Sequence, residues 1–322
     1  MRKILVTVLV LAFAAAPAFA QSLNDLATGK GSIEIPAKMS DAEVEQWQKK
    51  EQYYAESLNR VNGIKSTMKS YLGWAKEGPN AQAKNIRGIN DMGSSLDRII
   101  KAEENNAKVN AKILPIDLVF AEMAAAAKEL KEINGEANKY YSRKDYLEDN
   151  MAKGAELHPK LIEKYNAFVE AADKMDGMKD ELTEKLEPKK LDLIAKKYGK
   201  EYYWQHVRLM AKARAVVKFL PENASDTVDG AAYDAAVSDF SATLKEFEDY
   251  YTKTGDEGVR KLARMPLNPD AFNSFLASAR EVGQDVKAGK KDNSYVNHIN
   301  SMVRSYNSLI DRSNRTTFLL SK

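Results

Sequence analysis

The chain contains no cysteine, and its 322 residues include only three histidines. Without cysteine there can be no disulfide, no thiolate metal ligand and no cysteine nucleophile, so the fold must rest on a hydrophobic core. The sequence also lacks a G-x-S-x-G turn, a glycine-rich phosphate loop after a strand and the H-E-x-x-H spacing of zinc enzymes. We therefore expect no catalytic activity, no cofactor and no bound metal.

Charge of one sign is not in excess. The chain has 49 Lys and Arg against 46 Asp and Glu, a formal net charge of +3. The densest basic tract, residues 185–200, also contains Glu187 and Asp192, which is typical of a solvated helix face. A protein that binds nucleic acid would show a basic excess on one face. The charge balance therefore predicts that nucleic acid is not a partner.

Long apolar runs are absent beyond the N-terminal segment. A membrane-spanning helix needs about 18 consecutive apolar residues. The nearest candidate, residues 118–127, is shorter and contains Glu122. We expect no integral membrane segment in the mature chain.

The N-terminal segment has the pattern of a secretory signal peptide. Basic residues at positions 2 and 3 precede an apolar run at 4–16, and the Ala-Phe-Ala at 18–20 is an A-x-A cleavage site. Cleavage after Ala20 would make Gln21 the first residue, and lipid attachment would require a cysteine there. We predict a bacterial periplasmic or secreted protein that is not lipid-anchored.

Apolar residues follow a helical period from residue 40 onward. Ser40 and Glu43 form a capping box, and apolar positions then recur at alternating steps of three and four until Gly78-Pro79-Asn80 ends the pattern. The pattern recurs, and no segment alternates with period two, which predicts an all-α, elongated antiparallel helical bundle of about eight helices. The predicted helices lie within residues 44–75, 86–99, 116–140, 161–182, 191–217, 233–251, 272–286 and 296–310.

Two passages suggest that the bundle consists of two related four-helix halves. Residues 162–170 (IEKYNAFVE) resemble residues 303–311 (VRSYNSLID), and other landmarks follow in the same order. Chance similarity between amphipathic helices is the alternative. The corresponding domains are a flexible segment at 21–39, a first half at 40–187, a second half at 188–314 and a tail at 315–322.

One connection gathers the residues that could carry recognition. Tyr140, Tyr141, Tyr146, Asp149 and His158 all lie between the predicted third and fourth helices. Long connections often carry binding residues, and tyrosine hydroxyls suit recognition. These residues are our candidate binding surface. The alternative is packing at the core boundary, in which one ring of each tyrosine pair is buried and the other lies on the rim.

Proline positions predict how this connection turns. His158 precedes Pro159, and proline favours the first turn of a helix, so we expect His158 to enter the fourth helix. Lys153-Gly154 would then supply a backbone turn, and Tyr146 would hold the connection against the bundle. The fourth helix should end before Pro188. We expect His206 to be packed within its aromatic helix and His298 to lie on the surface or rim.

The stretch around this connection resembles the YiiG-like family of bacterial envelope proteins. The resemblance is carried by residues 140–146, Asp149, residues 152–154, His158-Pro159 and Tyr165-Asn166. It implies a helical protein from a family that is commonly lipidated and has no established biochemical function. This chain departs from the lipidated members at Gln21.

These observations favour a non-enzymatic periplasmic binding or envelope-maintenance protein, whose partner is an envelope protein or a small molecule. A likeness of architecture to imelysin-type periplasmic proteins, which are helical and duplicated, leaves a metal-binding or metal-dependent periplasmic protein as the alternative. The residues do not specify the oligomeric state.

Export without lipidation can be tested by intact mass. Mass spectrometry of the exported protein should give the mass of a chain that begins at Gln21, because residues 18–20 form the cleavage site and no cysteine is present to carry acyl groups. A chain that retains residues 1–20, or that carries added acyl mass, would contradict this prediction.

Overall fold

A computed structural model describes residues 33–80, 85–221 and 226–320. Within these ranges the chain forms eight α-helices, which confirms the predicted all-α bundle. The helices are α1 (Asp41–Ala75), α2 (Gly93–Asn106), α3 (Leu114–Ser142), α4 (Ala152–Tyr198), α5 (Tyr202–Val217), α6 (Gly230–Leu262), α7 (Pro269–Lys287) and α8 (Asn293–Arg315). The proposed signal peptide and most of the segment 21–39 lie outside the described residues.

Two short elements accompany the helices. A turn of 3-10 helix covers Asp145–Leu147. Two-residue strands, β1 (Ala263–Arg264) and β2 (Thr317–Phe318), pair antiparallel, with Ala263 opposite Phe318. The residues predicted to form a C-terminal tail therefore include a strand that is hydrogen-bonded to the chain after α6.

The chain divides into two compact units, Met1–Leu186 and Glu187–Lys322. Each unit has its own hydrophobic core, which in the first is rich in aliphatic residues and in the second is centred on Tyr202, Tyr233, Phe240, Phe247 and Phe272. The duplication of a four-helix half stays a prediction.

The start of α1 confirms the predicted capping box. The Ser40 hydroxyl accepts a hydrogen bond from the Glu43 amide, and the Glu43 carboxylate accepts one from the Ser40 amide at 2.7 Å. These bonds satisfy amides that the first turn leaves free, and they lower the pKa of Glu43.

The predictions made from Pro159 and Pro188 were wrong. Both prolines lie inside α4, so His158 lies in its second turn rather than at its entry, and Lys153-Gly154 are helical. A proline inside a helix costs about 3 kcal/mol, so burial of leucines on either side must outweigh it. The leucines that pack beside the two prolines are Leu157, Leu161, Leu182 and Leu186.

The break expected at Pro188 occurs instead at Gly199. This residue has a φ of +74°, and its amide bonds the Ala195 carbonyl, so glycine ends α4 in a left-handed conformation. The predicted fifth helix, residues 191–217, is therefore split between the end of α4 and α5.

The predicted second helix was also partly wrong, because residues 85–92 are not helical and α2 begins at Gly93. Two asparagines of α3 hold this segment by its backbone. Asn134 accepts from the Met92 amide at 2.8 Å and donates to the Asn90 carbonyl at 3.1 Å, and Asn138 donates to the Ile89 carbonyl at 2.7 Å. Its apolar residues are buried without a helix, which periodicity alone could not reveal.

A partly buried carboxylate joins the first three helices. Asp117, near the start of α3, accepts hydrogen bonds from Lys50 at 2.8 Å and from Tyr54 at 2.6 Å, both on α1. Asn106, the last residue of α2, donates to Asp117 at 2.8 Å, and the Ile113 amide donates at 2.9 Å. The side chain of Lys50 is 3% exposed and that of Asp117 is 20% exposed, so the lysine lies in the core and the carboxylate lies at its edge.

A second buried carboxylate joins the end of α7 to α8. Asp285 is 2% exposed and pairs with Lys290 at 2.8 Å and with His298. Burial opposes ionisation of Asp285, but the hydrogen bonds from Lys290 and His298 outweigh it and hold the pKa of this carboxyl below its usual value. His298 therefore has a structural partner, although it lies at the partly exposed edge that the sequence predicted.

The buried ion pair predicts unequal effects of two lysine substitutions in α1. Lys50→Met should lower the free energy of unfolding by about 2–3 kcal/mol, because Asp117 would keep a partly buried charge without its cation. Lys65→Met is the matched control, since Lys65 pairs with Asp173 on the exposed surface, and it should change stability by less than about 1 kcal/mol. Urea unfolding followed by circular dichroism measures both. Equal losses for the two variants would contradict the assignment.

Candidate functional site

The connection between α3 and α4 brings together the residues predicted to form the binding surface. The ring centroids of Tyr140 and Tyr141 are 5.0 Å apart, and that of Tyr146 is 6.4 Å from each. His158 joins the cluster through Tyr71 of α1, whose ring lies 5.6 Å from His158 and 6.2 Å from Tyr141. We call these residues, with Trp74 and Asp149, the tyrosine corner.

Asp149 caps the beginning of α4. Its carboxylate accepts hydrogen bonds from the Met151 amide at 3.0 Å, the Lys153 amide at 2.8 Å and the Tyr140 hydroxyl at 2.8 Å. Burial raises the pKa of Asp149, but these bonds outweigh it, so the pKa is below its usual value. The helix therefore starts where Asp149 caps it, and not at Pro159, where the sequence predicted its start.

The paired tyrosines of the corner are both buried, at 5% exposure each. Burial raises the pKa of Tyr140 and of Tyr141, so both hydroxyls stay protonated. The Tyr141 hydroxyl is buried without a hydrogen-bond partner among the described residues. Its oxygen lies close to the position that a β-carbon on Gly154 would occupy. Tyr146 is half-buried and packs against the core, as predicted.

His158 is bonded within the corner. Its Nδ1 lies 2.9 Å from the Tyr71 hydroxyl, and burial lowers its pKa, so the imidazole is neutral at pH 7. The corner therefore presents only the partly exposed edges of Trp74, Tyr146, Asp149 and His158 to solvent. Its contacts are those of a packed junction between helices.

The remaining histidines are also occupied by structural contacts. His206 is 2% exposed, its Nε2 lies 2.7 Å from the Ser313 hydroxyl, and its ring packs against Phe318 and Phe272. Burial lowers the pKa of His206 to about 4, so it is neutral at physiological pH. The structure confirms that His206 is packed. Within the described ranges, no group of three His, Asp or Glu residues could hold a metal ion.

Sequence analysis did not identify a large cavity in the second unit. Its volume is about 900 Å³, and it lies where the ends of α6 and α8 meet β1 and the chain that leads into α7. We call it the arginine cavity. The residues that line it are Tyr251, Asp256, Arg260, Ala263, Arg264, Met265, Pro266, Asn268, Arg312 and Arg315.

The four arginines come from two distant stretches of sequence. Arg260 and Arg264 lie at the end of α6 and in β1, whereas Arg312 and Arg315 lie in the last turns of α8. The pairing of β1 with β2 brings the stretches together. The only sequence signal is two pairs of arginines, four and three positions apart, beyond the ends of the predicted sixth and eighth helices, which is too common to identify a site.

Backbone geometry shapes the cavity at two residues. Gly255 has a φ of +71° and a ψ of 159°, a combination open essentially to glycine, and it kinks α6 between Tyr251 and Asp256. Met265 has a φ of +53°, and its side chain is 66% exposed. Its carbonyl accepts from the Thr316 hydroxyl at 2.9 Å, which ties the loop after β1 to the chain before β2.

The chain belongs to the family described as "Protein of unknown function (DUF3829)", whose model matches residues 45–315. It is also similar to the "Uncharacterized protein YiiG" of Escherichia coli (strain K12), with 23% identity over 206 residues. That alignment covers 62% of this chain and 59% of the relative, so the chain matches somewhat over half the relative's length. These findings confirm the resemblance to a YiiG-like family. No solved structure matches the chain.

None of the helices in the described ranges combines the length and the apolar character that crossing a membrane requires.

Close packing at the tyrosine corner predicts opposite effects of two glycine substitutions in α4. A β-carbon at Gly154 would lie 3.0 Å from the Tyr141 hydroxyl oxygen and 3.1 Å from Cε1 of Tyr140. Gly154→Ala should therefore lower the free energy of unfolding by about 1–2 kcal/mol. Gly177→Ala, where no described atom comes within 4 Å, should raise it by about 0.5–1 kcal/mol. Thermal or urea unfolding measures both, and a stabilising Gly154→Ala would contradict the packing.

Proposed function

We propose that this protein is an exported, non-catalytic binding protein of the bacterial envelope, and that its ligand occupies the arginine cavity. Export rests on the signal-peptide pattern at residues 1–20. The observation that carries the binding role is a cavity of about 900 Å³ whose four arginines have no ion-pair partner among the described residues.

The dimensions and construction of the cavity support this role. Small-molecule sites are clefts of roughly 300–1,000 Å³ with a few convergent polar groups. Here α6, β1, the loop before α7 and α8 all contribute to the lining. Backbone strain of the kind seen at Gly255 and Met265 is found more often at binding sites than elsewhere.

The chemistry of the lining supports binding rather than catalysis. The described lining residues include no serine, threonine, cysteine, lysine or histidine, so the usual nucleophiles and the neutral-pH base are not among them. Burial and then a hydrogen bond to Asp256 raise the pKa of Tyr251 to about 12, so this hydroxyl is a donor at neutral pH. The groups present can hold and orient a ligand.

The tyrosine corner remains the second place where a ligand could bind, through Tyr146, Asp149 and His158. Both carboxylate oxygens of Asp149 already accept hydrogen bonds, and Tyr140 and Tyr141 are buried. These contacts favour a structural role for the corner. The arginine cavity is the better candidate because its charged groups are not engaged.

The binding role can be tested by filling the cavity. The mature protein is incubated with a small-molecule extract of the periplasm, and compounds retained after gel filtration are identified by mass spectrometry. We expect Asn268→Trp to abolish retention, because the indole would occupy the cavity. The side chain of Asn268 does not cap α7, so the substitution should leave that helix intact.

Asn307→Trp is the matched control, since Asn307 is an exposed residue of α8 that does not line the cavity. It should retain the same compound as the unmodified protein. Retention by Asn268→Trp, or no retained compound in any variant, would refute the cavity as the ligand site. Chemical conversion of a retained compound would refute the non-catalytic role.

A further inference from the structure

We infer that the arginine cavity binds a phosphorylated anion, with phosphoryl groups held by guanidinium groups from its two sides. This inference rests on the proposed function, because it names the class of ligand for the same cavity. Four arginines against one aspartate give the lining a net charge of +3. A ligand that carries two or more negative charges would complement it.

The cavity arginines are distinguished by their number around one cavity rather than by the lack of an ion pair, because Arg280 and Arg304 also form none and bond only serine hydroxyls among the described residues. Arg208 pairs with Glu246, and Arg214 pairs with Glu187 at 3.3 Å. In contrast, Arg260, Arg264, Arg312 and Arg315 form no ion pair with any residue in the described part of the chain. Like charges gathered around one cavity repel each other, so an anionic ligand would remove an unfavourable interaction.

The helix dipole explains only part of the placement of the cavity arginines. Arg260, Arg312 and Arg315 lie in last turns, where a cation also offsets the negative end of the helix dipole by about 0.3–1 kcal/mol. That effect does not require side chains from two helices to line one cavity. Arg264 lies in β1, outside any helix, and lines the same cavity.

The two-sided arrangement favours a ligand with more than one anionic group. Arg260 and Arg264 lie on one stretch of chain, Arg312 and Arg315 lie on another, and the pairing of β1 with β2 fixes the two against each other. Guanidinium groups match phosphate oxygens with two parallel hydrogen bonds, and they stay charged at any physiological pH. The Tyr251 hydroxyl is hydrogen-bonded to Asp256, so the arginines are the donors that the lining offers to a ligand.

Pyrophosphate is the probe that tests this class of ligand. Calorimetric titration of the mature protein at low ionic strength should show one site per chain. Arg264→Gln and Arg312→Gln should each weaken binding by about tenfold or more, since each removes a charge-assisted hydrogen bond. Added salt should weaken binding in the unmodified protein. Neither arginine has an ion-pair partner among the described residues, so both variants should fold.

Arg304→Gln is the matched control. Arg304 is an exposed arginine of the same helix, α8, that does not line the cavity and whose guanidinium bonds only the Ser301 hydroxyl among the described residues. It should bind pyrophosphate as the unmodified protein does. If Arg304→Gln weakened binding as much as Arg312→Gln, the attraction would be a general effect of surface charge, and the inference would be overturned.

A second arm separates a soluble phosphate from a lipid headgroup. Co-sedimentation with phosphatidylcholine vesicles that contain phosphatidylglycerol is compared with pure phosphatidylcholine, using the same variants. Pyrophosphate binding without vesicle binding assigns a soluble ligand, and vesicle binding that depends on Arg264 and Arg312 assigns a headgroup. Either result supports the inference, and binding of neither probe overturns it.

Failure of the inference and failure of the proposed function give different results. If Asn268→Trp abolishes retention of a neutral or cationic compound and pyrophosphate does not bind, the cavity is a ligand site and the inferred class is wrong. If neither pyrophosphate nor any retained compound depends on the cavity, both are wrong.

Discussion

A carboxylate held between helices, partly or fully out of water, is the constraint on which each unit depends. A charge removed from water destabilises the fold unless cations and hydrogen-bond donors replace the water. In the first unit, Asp117 meets this requirement through Lys50 and Tyr54 of α1 and Asn106 of α2, so one side chain fixes three helices. In the second unit, Asp285 fixes the end of α7 against α8 through Lys290 and His298. Since the chain has no disulfide, such directional contacts give its apolar cores a defined arrangement.

The tyrosine corner joins helices mainly through aromatic side chains. Each ring contributes apolar area to the core, and two of the four hydroxyls have a polar partner, Asp149 for Tyr140 and His158 for Tyr71. Because Asp149 also caps α4, the burial of Tyr140 and the start of that helix depend on one carboxylate. Gly154 fits beneath the paired rings, where a larger residue would crowd them. The sequence of this cluster suggested a recognition surface, but its contacts join helices.

Local patterns predicted the parts of the structure that local interactions determine. The capping box at Ser40 and the helical period were read correctly, and residues 140–158 did gather in one cluster, because neighbours along a tight connection remain neighbours in space. The predictions from Pro159 and Pro188 were wrong, because the free-energy cost of a proline in the helix is smaller than the free energy gained by burying the leucines around it. The prediction of a helix within residues 85–92 was wrong because Asn134 and Asn138, more than forty residues away, hold the backbone of this segment in another conformation. The arginine cavity could not be found, since it exists only when β1 pairs with β2.

The arginine cavity gathers several unpaired positive charges in one place. Lys50 and Arg208 each have a carboxylate, and isolated surface arginines such as Arg304 have none, but here four guanidinium groups without an ion pair among the described residues line one cavity. Replacing one of them by an acidic residue would reduce the repulsion at little cost to packing, because all four side chains lie at the surface. Local rules of stability are broken most often at functional sites, where the missing partner is supplied by a ligand. The positive φ of Met265 and the glycine-dependent kink at Gly255 occur around the same cavity, but positive φ values also occur at Lys144, Asn150 and Met151 in the connection between α3 and α4. The gathered positive charge is therefore what distinguishes the cavity, and an anionic ligand would offset it.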